Sequence, residues 1–388
     1  MLQIKGQPLF CVNLFQDKPF LFIFLHLKYK SMKKLPLFAL LLCLIIAIYG
    51  QNNTIPLLKD LQAAIDKHEH RFDILEKKID DVLWYHKVGD IAFIDKVIIA
   101  GPPPANEKNT TLGFNNPLKF NAYVFIPKKT DVNKKYPLIV LVHGGVHGNF
   151  GTYHTHILRE LMAQGYIVVA PEYRGSSGYG ESFWKNIDYG GLEVQDSEAS
   201  RAYMVENYSF IDKNRVGVVG WSHGGLIGLM SVFQYPENYA VCFAGVPVSD
   251  LVARMGYQGE SYSKLFSADY HIGKTVNEDP EEYRRRSPVW HAEKLKTPLL
   301  IHTNTNDDDV HVMEVESLIR ALKAANKKFE YEIFKDIPGG HSFDRIDPKQ
   351  SREIRLKIWT FLAKYLNPPY PMKNLKEMER AAYVMIND

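Results

Sequence analysis

Cysteine is scarce. This 388-residue chain has three, at Cys11, Cys43 and Cys242. The first two fall in an N-terminal segment that reads as removable, so the remaining chain holds one thiol and no internal disulfide can staple it. Cys242 sits in the apolar run Ala240-Val-Cys-Phe-Ala244, where a buried, inert thiol is expected rather than a nucleophile. An excess of charge of one sign is lacking too. Lys plus Arg number 47 against 44 Asp plus Glu, a net of +3, and the basic residues are scattered. No electrostatic footprint for nucleic acid follows from that. Pairs such as Lys33-Lys34 and Lys134-Lys135 suit solvated faces. No internal repeat or low-complexity tract interrupts the chain. His68 and His70 are two apart and do not share a helix face, which makes them a poor metal pair.

What is present is ordinary globular material, 46% apolar and 12% aromatic, ample for one large core. The first 50 residues stand apart from it. Met32-Lys33-Lys34, an apolar run from Leu35 to Ile48 too short to span a bilayer comfortably, and then Tyr49-Gly50-Gln51 describe an export signal. Its natural start is Met32 and its cleavage point lies near Gly50. The mature chain would then be periplasmic or extracellular, without a stable membrane span. A retained anchor, helped by the earlier run Phe20–Leu27, is the alternative. Residues 1–50 are thus read as an upstream extension and signal, 51–90 as an amphipathic helix, and 91–388 as a catalytic domain with an insertion at about 251–296.

The helix carries a seam. Leu58, Leu61, Ile65, Phe72, Leu75, Ile79 and Val82 follow alternating spacings of three and four, with His68 filling the one gap. Such a seam serves either self-association through residues 58–82 or packing on the body of the protein; its shortness favours packing. Beyond Gly89 the pattern becomes one of unbroken apolar strands alternating with amphipathic helices. Strands are expected at 91–100, 121–127, 138–142, 167–170, 216–219, 241–246, 299–302 and 329–334. Helices are expected at 155–164, 194–207, 226–234, 312–325 and 352–366. This is the signature of an α/β fold with a mostly parallel sheet covered on both faces. Right-handed crossovers place the strand C-termini, and any site they carry, along one edge. The stretch 251–296 is rich in Tyr, Arg and Glu and has no strand.

The chemistry is concentrated in Arg215-Val-Gly-Val-Val-Gly-Trp-Ser-His-Gly-Gly-Leu226. A serine at a sharp strand-to-helix turn projects its Oγ from the sheet edge, and the residues two before and two after it crowd each other. Gly220 and Gly224 supply the small size that requires, so Ser222 is the candidate nucleophile. Its base and orienting acid should follow in the order acid, then histidine, each after a strand. The acid comes from Asp307, Asp308 or Asp309; the other two cap the helix beginning near His311. The base is His341, on a glycine-rich loop after Pro338-Gly-Gly340. His143 and His302 end strands too early in this order, and His154 and His156 lie at a helix start. The oxyanion donors are expected from the N–H of His223 and from Gly145 or Val146 in His143-Gly-Gly-Val-His147.

Taken together these residues resemble the catalytic domain of the prolyl oligopeptidase family, of the α/β-hydrolase fold. Glu172-Tyr-Arg-Gly-Ser-Ser-Gly-Tyr-Gly180 is similar to that family's Arg-Gly-Ser-x-Gly-Tyr-Gly segment. The Asp196 region, Gly220–Gly225, Asp307-x-x-Val310 and Gly340-His-x-Phe343 follow in the family's order, over roughly Tyr136 to Leu366. The resemblance implies Asp307 as the acid, and two-step acyl transfer by a Ser222–His341–Asp307 triad without cofactor or metal. Three departures stand out. Thr303 replaces the usual glycine and the loop to Asp307 is one residue longer; His143 stands where relatives carry an oxyanion tyrosine; and the family's propeller has no counterpart in residues 51–135. A serine peptidase acting on small peptides is the implied activity. A carboxylesterase acting on small or carbohydrate-linked esters is the alternative, and a non-catalytic binding protein is the remaining reading.

Overall fold

The computed structural model describes residues 35–105 and 112–382, with the backbone alone for 35–55 and 57. The expected export segment therefore lies outside the described residues up to Lys34 and is traced as backbone beyond it. Among the described residues no helix is long and apolar enough to cross a membrane. The strands are β1 (Ala92–Ala100), β2 (Lys119–Pro127), β3 (Tyr136–Val142), β4 (Ile167–Pro171), β5 (Ile211–Trp221), β6 (Val241–Gly245), β7 (Leu299–Asn304) and β8 (Glu330–Phe334). The helices are α1 (Leu35–Val88), α2 (Thr155–Gln164), α3 (Glu181–Trp184), α4 (Leu192–Asn207) and α5 (His223–Gln234). After them come α6 (Leu251–Tyr257), α7 (Glu260–Phe266), α8 (Pro280–Arg285), α9 (Val312–Ala324), α10 (Lys349–Leu366) and α11 (Leu375–Ala382).

All eight strands form one sheet in the order β1-β2-β4-β3-β5-β6-β7-β8. β1, β2 and β4 pair antiparallel, and β4 through β8 pair parallel. Each central strand divides its side chains between two cores, as alternation along a pleated strand requires. Leu138, Val140 and Val142 of β3 join Val194, Leu226 and Leu318 from α4, α5 and α9 on one face. Ile139 and Leu141 join Leu158, Ile358 and Met378 from α2, α10 and α11 on the other. This mixed, doubly covered sheet is the α/β-hydrolase arrangement. The stretch read as an insertion is helical, with α6, α7 and α8 sending Leu251, Phe266 and Tyr283 into the first core. In the second core α11 is an addition; its short pattern did not announce a helix.

The chain divides into two compact units at Ile65 and Asp66. In the second unit, the stretch of α1 from Asp66 to Val88 is laid against the sheet, but not by its apolar seam. The contact stripe is Ile74, Lys77, Asp81, Trp84 and Val88, with Lys77, Trp84 and Val88 buried. Trp84 stacks on Phe150 at 5.3 Å and packs edge-on to Phe125 at 5.2 Å. Lys77 pairs with the buried Glu172 and donates to the Phe150 carbonyl at 2.7 Å. Asp80 accepts from Thr152 Oγ1 at 2.7 Å. A stripe containing a lysine and an aspartate escapes a reading based on apolar spacing, because its polar members are satisfied only by groups far away in sequence.

Burial raises the Glu172 carboxyl above the ordinary range, and the neighbouring Lys77 ammonium opposes that rise. Removing the lysine alone would strand a buried acid. Lys77→Ala is therefore expected to lower the unfolding free energy by about 3–5 kcal/mol, whereas the double change Lys77→Met/Glu172→Gln should recover most of it. Urea unfolding of both variants measures this; a single variant with the wild-type midpoint would show that the pair does not hold the helix.

Candidate active site

β5 ends at Trp221 and α5 begins at His223, so Ser222 alone makes the turn between them. Its backbone is strained accordingly, with φ 59° and ψ −123°. β6 and the segment after it hold that strain in place. Ser222 N donates to Gly245 O on β6 at 2.9 Å, and Ser222 O accepts from Val248 N at 3.2 Å. The expected crowding is present: a Cβ on Gly220 would lie 2.2 Å from Gly224 O, and one on Gly224 would lie 2.3 Å from Val142 O. Neither position has room for alanine.

The loops after β7 and β8 bring an acid and a histidine together. Asp307 Oδ1 and Oδ2 lie 3.0 and 2.8 Å from His341 Nδ1. The same Asp307 Oδ1 accepts the backbone N–H groups of Asp309 and Val310 at 3.0 and 2.9 Å, which fixes the carboxylate in place. Asp309 addresses the other imidazole nitrogen, with Oδ2 3.6 Å from Nε2. Its Oδ1 is 2.6 Å from Arg254 Nη2 of α6. Asp308 is exposed. Neither of these aspartates caps α9, contrary to the sequence expectation. The cap is His311, whose Nδ1 accepts from Met313 N at 3.2 Å, because α9 starts at Val312 and the capping position is the residue immediately before it.

Ser222, Asp309 and His341 line one cavity of about 300 Å³ together with Gly144, Gly145, Gly148, Tyr153, His154 and Arg345. The Ser222 hydroxyl makes no hydrogen bond to His341 in this geometry, a looseness common before substrate binds. The loop after β3 lies directly against Ser222, since a Cβ on Gly144 would meet Ser222 Cβ at 3.2 Å. Gly145 lines the cavity, whereas Val146 packs against the hydrophobic core. The His223 side chain ties this loop down. Its Nδ1 is 3.0 Å from Gly145 O, its Nε2 is 2.8 Å from Glu193 Oε2, and its ring stacks on Tyr189 at 3.7 Å. Alongside, Arg174 grips Asp196 through Nε and Nη2 at 2.7 and 2.8 Å, which secures the Glu172–Gly180 segment.

Several members of the site carried no sequence signal. Arg345, four residues after His341, donates to the His341 carbonyl. Glu193 and Arg254 come from helices distant in sequence. His143 is buried, stacked on Tyr173 at 4.2 Å, and its Nε2 lies 3.0 Å from Ser176 Oγ. Burial pushes its pKa well below the ordinary histidine value. His154 reaches the cavity, but burial holds it down at about 3, so it stays neutral. Burial likewise raises the Cys242 thiol and keeps it protonated. Among the described residues no group of three or more His, Cys, Asp or Glu is arranged to hold a metal ion.

The model of the prolyl oligopeptidase family matches residues 153–369. The chain belongs to the prolyl oligopeptidase family. As a member of this family it is a serine hydrolase. It is similar to the uncharacterized peptidase YuxL of Bacillus subtilis (strain 168), 30% identical over 238 residues, covering 61% of this chain and 35% of that one. It is similar also to the acylamino-acid-releasing enzyme of Homo sapiens, 28% identical over 263 residues, covering 66% of this chain and 35% of that one. The chain thus spans about a third of the length of these curated relatives, 35% in both. In fold it resembles the acylaminoacyl peptidase of Pyrococcus horikoshii, with a TM-score of 0.60 at 19% identity, covering 74% of this chain and 44% of that structure. A second cavity in this prolyl oligopeptidase-family chain, about 430 Å³ and lined by Asp90, Arg159 and Tyr370, borders Tyr136 at the start of β3. That is the edge of the sheet opposite Ser222.

His302 lies within β7, two residues before its end, and does not line the cavity. Its ring sits between Phe243 and Phe334, centroids 5.2 and 5.1 Å away, and burial holds it at about 3. In the unfolded chain a histidine titrates near ~6.5. Below that pH the unfolded chain takes up a proton that the folded one refuses, so the contribution of His302 is present above ~6.5 and is lost as pH falls toward 3. The loss is about 1.4 kcal/mol per pH unit. His302→Phe should remove it, so the difference in unfolding free energy should shift steadily in favour of the variant between pH 6 and 4. A difference independent of pH would contradict the assignment.

Proposed function

We propose that the chain is a serine peptidase of small or exposed peptides, with Ser222 as nucleophile, His341 as base and Asp307 as orienting acid. The observation that carries the reading is the division of labour on one imidazole. Asp307 occupies Nδ1 with both oxygens, leaving Nε2 to the cavity that contains Ser222. The proton on Ser222 Oγ passes to His341 Nε2 as Oγ bonds to the substrate carbonyl carbon. The carbonyl oxygen becomes an anion facing the N–H of His223, at the positive end of α5, and that of Gly145. His341 then gives the proton to the departing amine, and water repeats the sequence to free the acyl group. Relatives named peptidases and acylamino-acid-releasing enzymes support a peptide-like substrate.

The assignment is tested by substitution. Ser222→Ala should cut kcat on the order of a millionfold and abolish labelling by a fluorophosphonate. Asp307→Asn should cost on the order of ten-thousandfold, as loss of an orienting acid does, while Asp309→Asn should cost far less because it sits on the wrong nitrogen. Normal labelling of the Ser222 variant, or a reversed order for the two aspartates, would refute it.

An aryl ester and the matched aryl amide should separate the two hydrolase activities. An alkoxide leaves with little help, whereas an amine must be protonated by His341 as it departs, which demands a tightly held substrate. Among the described residues, those from Asp66 to Lys135 belong to the same compact unit as the sheet, with β1 and β2 as two of its strands. Higher kcat/KM on the ester, with measurable turnover of short peptides, is the expected result. Ester turnover with no cleavage of any peptide would instead establish a carboxylesterase.

A further inference from the structure

The seam of α1 is left uncovered by the fold. Phe72, Leu75, Ile79 and Val82 are 64%, 54%, 51% and 71% exposed, on the side of the helix away from buried Lys77, Trp84 and Val88. A helix that serves only to cover a sheet shows a polar outer face. Four large apolar residues in one outward stripe mark a contact surface instead. Their spacings alternate three, four and three, and in sequence the alternation extends back to Leu58, which is the heptad pattern that keeps a stripe facing another helix.

The charges beside the stripe identify the partner. With Phe72 and Ile79 at heptad position a, and His68, Leu75 and Val82 at d, the e positions are Glu69, Glu76 and Leu83 and the g positions are Arg71, Lys78 and Tyr85, so the charged e positions are acidic and the charged g positions basic. The four charged residues are exposed, and the ion pairs this stretch makes use His70, Asp73, Lys77 and Asp81 instead. We propose that residues 66–88 of α1 pair with the same residues of a second copy of this chain, as a parallel, in-register two-stranded coiled coil. In that arrangement a g residue meets the e residue five positions on in the partner, so Arg71 faces Glu76 twice by symmetry. An antiparallel pair would set Arg71 against Lys78 and Glu69 against Glu76, like charge on like. The catalytic body sits on the opposite side of each helix, so two copies approach seam to seam without displacing any contact of the fold. The helix is already ordered against its own sheet, which lowers the ordering cost that makes short isolated coiled coils weak.

The test is sedimentation equilibrium of the full chain across the micromolar range. The wild type should be dimeric. Leu75→Glu/Ile79→Glu should be monomeric with unchanged turnover of a small ester, because neither side chain touches the cavity. Arg71→Glu should weaken dimerisation about tenfold, and Arg71→Glu/Glu76→Arg should restore it. In a Cys11→Ser/Cys43→Ser background, Phe72→Cys and Val82→Cys should each cross-link to themselves on mild oxidation. Cross-linking only when the two cysteine variants are mixed would establish an antiparallel pair and overturn the proposal. A wild type monomeric throughout, or a dimer that survives the paired glutamates, would overturn it too. So would a monomer that binds phosphatidylcholine–phosphatidylglycerol vesicles through the same stripe. None of these outcomes bears on the hydrolytic assignment, which is read from turnover.

Discussion

The turn at Ser222 is clamped from both sides by backbone. On one side Gly224 rests against the carbonyl that ends β3; on the other, Ser222 N is held by the carbonyl of Gly245 at the end of β6. The strand register sets both contacts, since Val142 pairs with Gly220 and Trp221 with Gly245. The same ladder continues to the other functional loops, through Gly245 opposite His302 and Asn304 opposite Phe334. The separation of Ser222, Asp307 and His341 is therefore a property of sheet pairing. A slip of one residue in any central strand would turn its side chains to the opposite face and dismantle the site.

Around that clamp lies an unusual amount of buried charge. Lys77 with Glu172, Arg174 with Asp196 and Arg254 with Glu314 are ion pairs largely hidden from water, and His223 bridges to Glu193 beside them. Pairs of this kind contribute little net stability compared with apolar packing. What they share is location: Lys77 and Asp196 tie the Glu172–Gly180 segment to α1 and α4, while the other two pairs join α6 to α9 and α5 to α4. The oxyanion-side loop is held by His223, the Glu172–Gly180 segment by Asp196, and the acid-bearing loop by Arg254 through Asp309. They restrict the number of ways in which three loops can sit.

Much of this was legible in the sequence, for identifiable reasons. Buried parallel strands announce themselves as unbroken apolar runs, and the eight expected segments correspond to the eight strands. Ser222 was legible because its turn permits only glycine at two flanking positions. The choice among Asp307, Asp308 and Asp309 was not, because three adjacent carboxylates look alike until each is matched to a nitrogen of His341. Arg345, Glu193 and Arg254 were silent for a related reason, as their partners are brought to them only by folding. The helix 66–88 shows the limit most clearly. Its apolar period was correct, yet the face that binds the sheet is the one carrying Lys77, Asp80 and Asp81.

That face also moves the modular boundary of the enzyme. Composition places a border near Gly89, where helix gives way to strand, and a truncation or fusion would naturally be cut there. The compact unit instead begins at Asp66, inside the helix. Residues 66–88 supply Trp84 to the second core and Lys77 to a buried carboxylate, so they are a structural part of the catalytic fold rather than its tether. Any rearrangement that kept this folded unit but replaced the residues before it would have to join upstream of Asp66, carrying the outward-facing apolar stripe along with the sheet.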